Sequence, residues 1–403
     1  MSHESASPCM NEWRRGWRVV LGVAVGSGLG VPLFFYTLSL FNSGMMETFG
    51  LSRGEMSSLQ ALIVVGAMFA PLIGRALDKY GFRLVYGIST IGVVIAHLLM
   101  ATTVSTIAQF GVMVFAYGLL GIGCGPLVNT RPINAWFWHS RGLALGLAAV
   151  GLTLTAAVAP PFLAQLIEAE GWRAGYLALA MLTGLVALPL AILLVKNEPP
   201  EGPAGPAREA QGGDRGHFRE TDFWLMAASV FAVSVPGAGL LNQLSPLVQE
   251  EGIGPTVAAF GVTGYALGQL VGRIVAGWFL DRADPRMVAF FFTCMPAIGF
   301  VVLAGFQLPA WAAVLAVACV GIQQGAEIDL FSFFTARRFG LQRYGTVYGW
   351  LIMFLWIGNA VGIAGFGTLH DLTKSYQLAE AIAAAFMIAG GVLISRVKIA
   401  RTA

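Results

Sequence analysis

The chain has 403 residues, of which 57% are hydrophobic and only 11% are charged, and its formal net charge is +3. In soluble domains roughly a quarter of the residues are charged, so this composition excludes an ordinary soluble domain. The net charge is too small to indicate a nucleic-acid-binding protein. Four cysteines without ligand-like spacing predict neither a disulfide framework nor a metal site. The first 18 residues are polar without a small-residue cleavage site, so we expect no signal peptide.

Twelve apolar stretches follow one another along the chain, each of about 20 residues or more, which is the length a helix needs to cross a bilayer. We therefore predict an all-α integral membrane protein with twelve transmembrane helices. The predicted spans lie near residues 17–41, 54–77, 83–104, 106–130, 141–166, 172–195, 222–249, 256–280, 286–307, 310–336, 344–369 and 376–396.

Basic residues are distributed unevenly between the two sides of these spans. Twenty of the 24 Lys and Arg residues fall on the side of the termini, whereas Arg53, Arg173 and Lys374 fall on the opposite side. Cytoplasmic loops are enriched in Lys and Arg. We therefore predict a multi-pass protein of the plasma membrane, the inner membrane of a bacterium, with both termini in the cytoplasm. The remaining basic residue, Arg273, lies deep inside the eighth span.

The longest polar break, residues 196–222, is charged and rich in Pro and Gly. Such a composition cannot bury enough apolar surface to pack, so it is typical of a flexible linker. We predict three parts: a six-helix bundle over residues 1–195, a cytoplasmic linker over 196–221 and a second six-helix bundle over 222–403.

The two halves contain a repeated pattern. The segment "GRALDKYGFR" (74–83) follows the second span, and "GWFLDRADPR" (277–286) follows the eighth, at an offset of 203 residues. The same offset relates three further pairs of glycines: Gly118 to Gly321, Gly142 to Gly345 and Gly146 to Gly349. A constant register across six helices indicates parallel structural repeats, a pattern in which the substrate site lies between the halves near the bilayer midplane.

These residues resemble a known family. The pattern Gly74-xxx-Asp78-Lys79-x-Gly81-x-Arg83 resembles the loop signature of the major facilitator superfamily, and "FWHSRGLALGLAAVG" (137–151) resembles the fifth helix of monocarboxylate transporters and of the oxalate:formate antiporter. The resemblance implies two pseudo-symmetric six-helix bundles and a secondary transporter that works by rocker-switch alternating access.

Arg273 is the main candidate for contact with the substrate. It lies eight residues before Asp281, about 12 Å along a helix, and a guanidinium matches a carboxylate with two parallel hydrogen bonds. The alternative is a structural Arg bonded to backbone carbonyls or to Glu327. The repeat places Ala70 at the corresponding position, so the fold itself does not require Arg, and in the resembled families this Arg contacts the substrate carboxylate.

Two acids lie in the tenth span. Glu327 shares one helix face with Gln323 and Phe331, and it is a candidate proton carrier or simply the partner of Arg273. Asp329 points roughly 200° away from Glu327, which favours a packing or gate residue. His97, alone on an apolar helix of the third span, is a candidate for a hydrogen-bonded structural residue or, less simply, a proton relay.

Further polar and aromatic side chains within the spans complete the predicted substrate site. In the superfamily that this sequence resembles, spans seven and eight usually face the cavity, so Asn242 and Gln269 are the first candidates among these side chains for contact with the substrate. The predicted substrate-binding residues are Arg273, Gln269, Asn242, Phe331 and Tyr36.

Charged residues at the ends of the spans predict a gate at the cytoplasmic rim. By resemblance such a ring locks the outward-facing state, and a positive cytoplasmic face alone explains the basic residues but not the repeated Asp. The predicted gate consists of Asp78, Lys79, Arg83, Arg141, Asp281 and Arg282.

One cation in the cavity balances one carboxylate, whereas a dicarboxylate would leave an unpaired buried charge. We therefore expect a proton-coupled carrier of a small monocarboxylate such as L-lactate. Where animal monocarboxylate transporters have Lys and Asp, this chain has Leu33 and Gln269, and residues 349–360 lack the second cation of the oxalate:formate antiporter.

The alternatives are a proton antiporter that exports drugs or other amphipathic compounds, and a sensor derived from a transporter. The exporter's Gly-Pro-x-x-Gly-Gly motif is missing from "AAVAPPFLAQ". We expect no enzyme, cofactor, metal or nucleic-acid partner; the expected partners are a small organic anion, a proton and membrane lipid, and the expected state is a monomer.

Overall fold

The computed structural model describes residues 8–196, 216–250, 255–305 and 310–399, with the side chains of some residues at the ends of these ranges left aside. Every regular element within these ranges is helical, which confirms the predicted all-α fold class. Ten helical segments of the described chain are long and apolar enough to cross a membrane.

The chain divides into two compact units, each with its own packing. Unit 1 comprises Met1–Ser140, Leu147–Pro206 and Leu341–Gly349, and unit 2 comprises Arg141–Gly146, Ala207–Gly340 and Trp350–Ala403. The first turns of the helices that begin at Arg141 and Tyr344 therefore belong to a different unit from the rest of those helices. The predicted division at residues 195 and 222 stays a prediction.

Eleven α-helices of the described residues precede the long polar break. They are α1 (Pro8–Gly28), α2 (Val31–Thr37), α3 (Asn42–Phe49), α4 (Arg53–Gln60), α5 (Leu62–Ala67), α6 (Ala70–Thr102), α7 (Ile107–Ile122), α8 (Pro126–Trp136), α9 (Arg141–Glu170), α10 (Trp172–Met181) and α11 (Leu188–Leu194).

Six α-helices of the described residues follow the break. They are α12 (Thr221–Glu250), α13 (Pro255–Leu280), α14 (Pro285–Gly305), α15 (Ala310–Phe339), α16 (Tyr344–Thr373) and α17 (Gln377–Ser395).

Several predicted spans are divided between two or more helices, among them the first, fourth and sixth, and the second, residues 54–77, is divided most. It is divided into α4, α5 and the first turns of α6, which begins with Pro71 in its first turn, where a missing N–H costs nothing. Gly81 interrupts α6 with a backbone (φ 76°, ψ 176°) that favours glycine. The predicted second and third spans therefore meet at Gly81, the last glycine of the repeated loop.

The predicted flexible linker lies largely outside the described residues, which resume at Gly216. There a short 3₁₀ turn, Gly216–Arg219, leads directly into α12. Its Phe218 ring packs 5.2 Å from the ring of Trp350 and 5.3 Å from that of Phe223. The last residues of the predicted linker are thus anchored to unit 2 by aromatic contacts.

Unit 1 contains a buried aromatic cluster built from α2, α6, α7 and α10. The ring centroids of Phe34 and Tyr117 lie 4.4 Å apart, and His97 Nδ1 lies 2.9 Å from the Tyr117 hydroxyl. Tyr176 completes the cluster. Because His97 is fully buried among these rings, the structural role predicted for it fits the contacts better than a proton relay.

Candidate functional site

Arg273 on α13 and Asp329 on α15 form a buried ion pair in unit 2. Arg273 Nη1 lies 3.8 Å from Asp329 Oδ2, and the side chains are only 6% and 4% exposed. This distance exceeds that of a hydrogen bond, so the pair is held by charge alone. Among the described residues, neither Arg273 Nε nor Asp329 Oδ2 has a hydrogen-bond partner.

Glycines bring the two helices of this pair into backbone contact. A Cβ atom on Gly272 would lie 2.0 Å from the carbonyl oxygen of Ile322, and one on Gly325 would lie 2.1 Å from that of Gln269. Arg273 lies one helical turn after Gln269 on α13, and Asp329 lies one helical turn after Gly325 on α15. Because residues four apart share a helix face, this contact sets Asp329 opposite Arg273.

The alternative in which Arg273 pairs with Glu327 is wrong, because the buried partner of Arg273 is Asp329. The expectation that Asp329 is a packing or gate residue stays a prediction. The two acids are two residues apart on α15 and therefore face in different directions, as the sequence predicted. The face toward α13, however, is that of Asp329. A helical wheel gives the angle between two side chains but not which neighbouring helix each of them meets.

Glu327 is instead the acceptor in a network of neutral donors. Its carboxylate lies 2.7 Å from the Ser234 hydroxyl, 2.6 Å from Gln324 Nε2 and 3.3 Å from Gln323 Nε2. The contact with Gln323 is in accord with the helix face predicted for these residues. No pattern in the sequence pointed to Ser234, which lies on α12.

The Ser234 hydroxyl can serve Glu327 in both protonation states. It lies 2.7 Å from the Val230 carbonyl oxygen and 2.7 Å from Glu327 Oε1, and it has one proton to donate. When Glu327 is ionised, the hydroxyl donates to the carboxylate. When Glu327 is protonated, the carboxyl group can donate to Ser234 while the hydroxyl turns to the carbonyl.

The other predicted substrate residues are placed unevenly. Phe331 is buried at 4% exposure and Gln269 is half-buried, both in unit 2 near the ion pair along their helices. Asn242 is exposed and accepts a hydrogen bond from Gln243 Nε2 at 3.3 Å. Tyr36, on α2 of unit 1, is 48% exposed. Their roles in binding stay predictions.

Each repeated aspartate caps the start of a long helix. In unit 1 the Asp78 carboxylate accepts the Gly345 and Thr346 amides at 2.6 Å each and the Thr346 hydroxyl at 2.7 Å. A carboxylate at a helix N-terminus satisfies free N–H groups and the helix dipole. The repeated sequence pattern singled out Asp78, but it did not predict that the Asp78 carboxylate accepts hydrogen bonds from the amides at the start of another helix.

Unit 2 repeats this arrangement at Asp281. Its carboxylate accepts the Gly142 amide at 2.7 Å and the Leu143 amide at 2.9 Å, at the start of α9. Burial raises the pKa of Asp281 to about 6, although these hydrogen bonds and the charges of Arg337 and Arg282 act in the opposite direction.

The basic residues of the predicted gate make mainly aromatic and backbone contacts. Arg141 is buried at 2% exposure with its guanidinium 5.9 Å from the Phe333 ring centroid. Lys79 is exposed over the Tyr80 ring, Arg83 donates to the Val195 carbonyl at 2.9 Å, and Arg282 stacks on Trp278 at 4.5 Å. Whether these residues act together with the two aspartates stays a prediction.

Two further features do not form part of this site. An apolar cavity of about 520 Å³ in unit 1 has no charged side chain in its lining, which includes Leu29, Leu154, Val158, Phe162 and Leu179. Such a lining offers no partner for a carboxylate. Within the described part of the chain, no group of three or more His, Cys, Asp or Glu residues is arranged to hold a metal ion.

A family model described as Major Facilitator Superfamily matches residues 21–363 of the chain. Monocarboxylate transporter 11 of Homo sapiens is 26% identical over 98% of this chain and 84% of its own length. Monocarboxylate transporter 4 of Mus musculus is 25% identical over 94% of this chain and 82% of its own length.

Two solved structures share the fold. FucP, a superfamily transporter in the outward conformation, has a TM-score of 0.76 at 16% identity and covers 96% of this chain and 100% of its own. The human organic anion transporter MFSD10 has a TM-score of 0.73 at 15% identity and covers 94% and 99%. These likenesses confirm the predicted fold of two six-helix bundles.

Proposed function

Since the chain belongs to the Major Facilitator Superfamily, we propose that it is a secondary active transporter of a small organic anion, a proton-coupled carrier of a monocarboxylate of the size of L-lactate that works by rocker-switch alternating access. The observation that carries this proposal is the buried guanidinium of Arg273, whose Nε has no hydrogen-bond partner among the described residues. A charge at this depth is expensive and normally marks a substrate or ion pathway.

The relatives support an organic anion as the substrate. Two of them are monocarboxylate transporters that align along nearly the whole chain, and one structural neighbour is the human organic anion transporter MFSD10. Arg273 offers one guanidinium fork to a substrate carboxylate, and a second carboxylate would add a further buried negative charge without a partner. This favours a monocarboxylate over a dicarboxylate.

Glu327 is the proposed proton site. Its carboxylate is buried and its partners are neutral, so a proton removes a negative charge that no described cation contacts. The Ser234 hydroxyl supplies a hydrogen bond in either protonation state, and a carrier must visit both states in each cycle.

We further propose that the carrier is a multi-pass monomer of the bacterial inner membrane, surrounded by lipid and with both termini in the cytoplasm. The six residues Asp78, Lys79, Arg83, Arg141, Asp281 and Arg282 would then form its cytoplasmic gate. The capping of two helix starts by Asp78 and Asp281 supports this role, because such contacts break when those helix ends move.

Uptake of labelled L-lactate into proteoliposomes tests the transport function and the anchor. With an inward proton gradient, we expect accumulation by the unmodified protein and at least tenfold weaker uptake by Arg273→Lys, because Lys keeps the charge but loses the planar fork that donates two hydrogen bonds. Uptake by Arg273→Lys equal to that of the unmodified protein would contradict the anchor.

If the unmodified protein takes up no L-lactate under this gradient, the proposed substrate is wrong. In that case, proton-driven extrusion of an amphipathic dye from the same vesicles would favour the exporter. A panel of mono- and dicarboxylates added as competitors then measures the preference for a single carboxylate.

The variant Glu327→Gln separates proton coupling from transport. Gln keeps the shape and the hydrogen bonds of the side chain but cannot carry a proton. We expect acceleration of uptake by the proton gradient to disappear, while exchange of labelled for unlabelled L-lactate at equal pH continues. Gradient-driven accumulation that survives in this variant would show that the proton binds elsewhere.

A further inference from the structure

We propose that Asp329 is the internal counter-ion of Arg273, a carboxylate that holds the guanidinium in the empty carrier and competes with the substrate for it. The proposal rests on the proposed function of Arg273 as the anchor of a substrate carboxylate. It adds a specificity-determining residue on α15 that the predicted substrate site did not include.

Arg273 and Asp329 lie close together without a hydrogen bond between them. The two charged groups are nearly excluded from solvent, yet their closest atoms are 3.8 Å apart. A buried donor or acceptor without a hydrogen bond costs more than the bond contributes, and here Arg273 Nε and Asp329 Oδ2 both lack one among the described residues. The pair neutralises charge while leaving hydrogen-bonding capacity on the guanidinium for a second carboxylate.

The backbone contact between the helices fixes this distance. A Cβ on Gly325 would meet the carbonyl of Gln269 at 2.1 Å, so α13 and α15 cannot approach further to close the gap. In this conformation the short Asp side chain does not bind the planar fork of Arg273 in a bidentate arrangement. A free carboxylate is not tied to α15 and can bind that fork with two parallel hydrogen bonds.

The sum of the charges on Arg273, Asp329 and the substrate predicts that a proton binds together with the substrate. Arg273 and Asp329 together are neutral, and adding a substrate anion leaves one buried negative charge uncompensated. Binding of a proton from solvent to the Asp329 carboxylate restores neutrality and at the same time removes the competitor from Arg273. We assign this proton to the affinity of the site for substrate, whereas the proton proposed for Glu327 is the one that drives accumulation. Substrate affinity should therefore increase as the pH falls.

The other charged groups on the helices that pack against α15 do not replace Asp329 in this count. On α12, Asp222 binds Arg338, and on α14, Arg286 donates to the Ile399 carbonyl. Arg273 is the partner on α13. On α15 itself, Glu327 is bonded to Ser234 and two glutamines, Cys319 lies ten residues before Asp329, and Arg337 and Arg338 lie at the helix end.

The KM for L-lactate in exchange assays at equal pH on both sides, measured from pH 5.5 to 8, tests the proposal. For the unmodified protein we expect KM to rise with pH. For Asp329→Asn we expect a KM about tenfold lower at high pH, the size of one charge-assisted hydrogen bond, and independent of pH. Asp329→Glu, which keeps a carboxylate at this position, should keep the pH dependence.

A pH-dependent KM in Asp329→Asn, or a pH-independent KM in Asp329→Glu, would overturn the assignment. A second measurement remains valid if L-lactate is not the substrate, in which case only the proposed function fails. In thermal unfolding of the purified chain, Arg273→Gln and Asp329→Asn should each lower the Tm, and the double variant should recover part of the loss because no buried charge remains unpaired. Strictly additive losses would show that the two groups do not interact.

Discussion

At the scale of single residues, the Ser234 hydroxyl is the group on which the environment of Glu327 depends most. It is buried, lies on α12 and is the one described partner of Glu327 that comes from another helix. The two glutamines that also contact the carboxylate lie on α15 itself and move with it. Ser234 therefore both orients Glu327 and ties its helix to α12.

We expect Ser234→Ala to destabilise the protein by about 1 to 2 kcal/mol, because a buried carboxylate loses a donor, and to weaken the response of uptake to a proton gradient. Thermal unfolding in detergent and the proteoliposome assay measure the two effects. The control is Ser229→Ala on the same helix, whose hydroxyl donates to the Gly390 carbonyl at 2.8 Å. It should leave the gradient response intact, and an equal loss in both variants would argue against a role for Ser234 at Glu327.

At the scale of helices, pairs of glycines four residues apart determine how α13 and α15 pack. Gly268 and Gly272 meet the carbonyls of Ala318 and Ile322, whereas Gly321 and Gly325 meet those of Tyr265 and Gln269. Small residues at this spacing are typical of close helix contacts in membranes.

The sequence predicted the depth of Arg273 in its helix but not its partner, because the partner depends on this packing. The spacing of the four glycines is visible in the sequence and could have indicated that α13 and α15 are neighbours. It could not have given their relative register, on which the pairing of Arg273 with Asp329 rather than with Glu327 depends.

We expect Gly325→Ala to cost about 1 to 3 kcal/mol of stability, because a methyl group at 2.1 Å from the Gln269 carbonyl forces the helices apart. The added separation should also weaken the Arg273–Asp329 pair one turn away. Thermal unfolding gives the first effect and the pH dependence of KM the second. The control is Gly261→Ala on α13, where no atom of the described residues lies within 4 Å of the added Cβ; a larger loss in this variant than in Gly325→Ala would contradict the packing.

At the scale of the whole molecule, the offset of 203 residues extends from the sequence to the contacts. Asp78 binds the amides of Gly345 and Thr346 in unit 1, and Asp281 binds those of Gly142 and Leu143 in unit 2, so each contact repeats after the same shift. The repeat was visible in the sequence because the loop needs Gly and Asp at fixed positions.

The differences between the repeats were not predictable to the same degree. Leu143 cannot supply the extra hydroxyl bond that Thr346 gives to Asp78, and the site side chains have no repeated counterparts, as Ala70 and Arg273 illustrate. The backbone frame is therefore shared by the two halves, whereas the chemistry that the proposed function uses is concentrated in unit 2.

The Asp281 contact predicts how stability depends on pH. Burial raises the pKa of this carboxyl from 3.8 to about 6 in the described conformation, so the conformation binds a proton more tightly than the unfolded chain does. Its stabilising contribution is complete below about pH 4 and is lost as the pH rises through 6. Between pH 5 and 7.5 we expect Asp281 to reduce the free energy of unfolding by about 1.4 kcal/mol.

Thermal unfolding of the unmodified protein and of Asp281→Asn across this range measures the effect. Asn does not titrate, so the difference in Tm between the two proteins should change in favour of the unmodified protein as the pH falls. The matched control is Asp284→Asn, three residues further along the same loop, where the side chain is exposed. The pH dependence of the Tm should be kept in Asp284→Asn. A pH dependence that persists in Asp281→Asn and disappears in Asp284→Asn would assign the titration to the exposed acid, and the buried helix cap would then have no part in it.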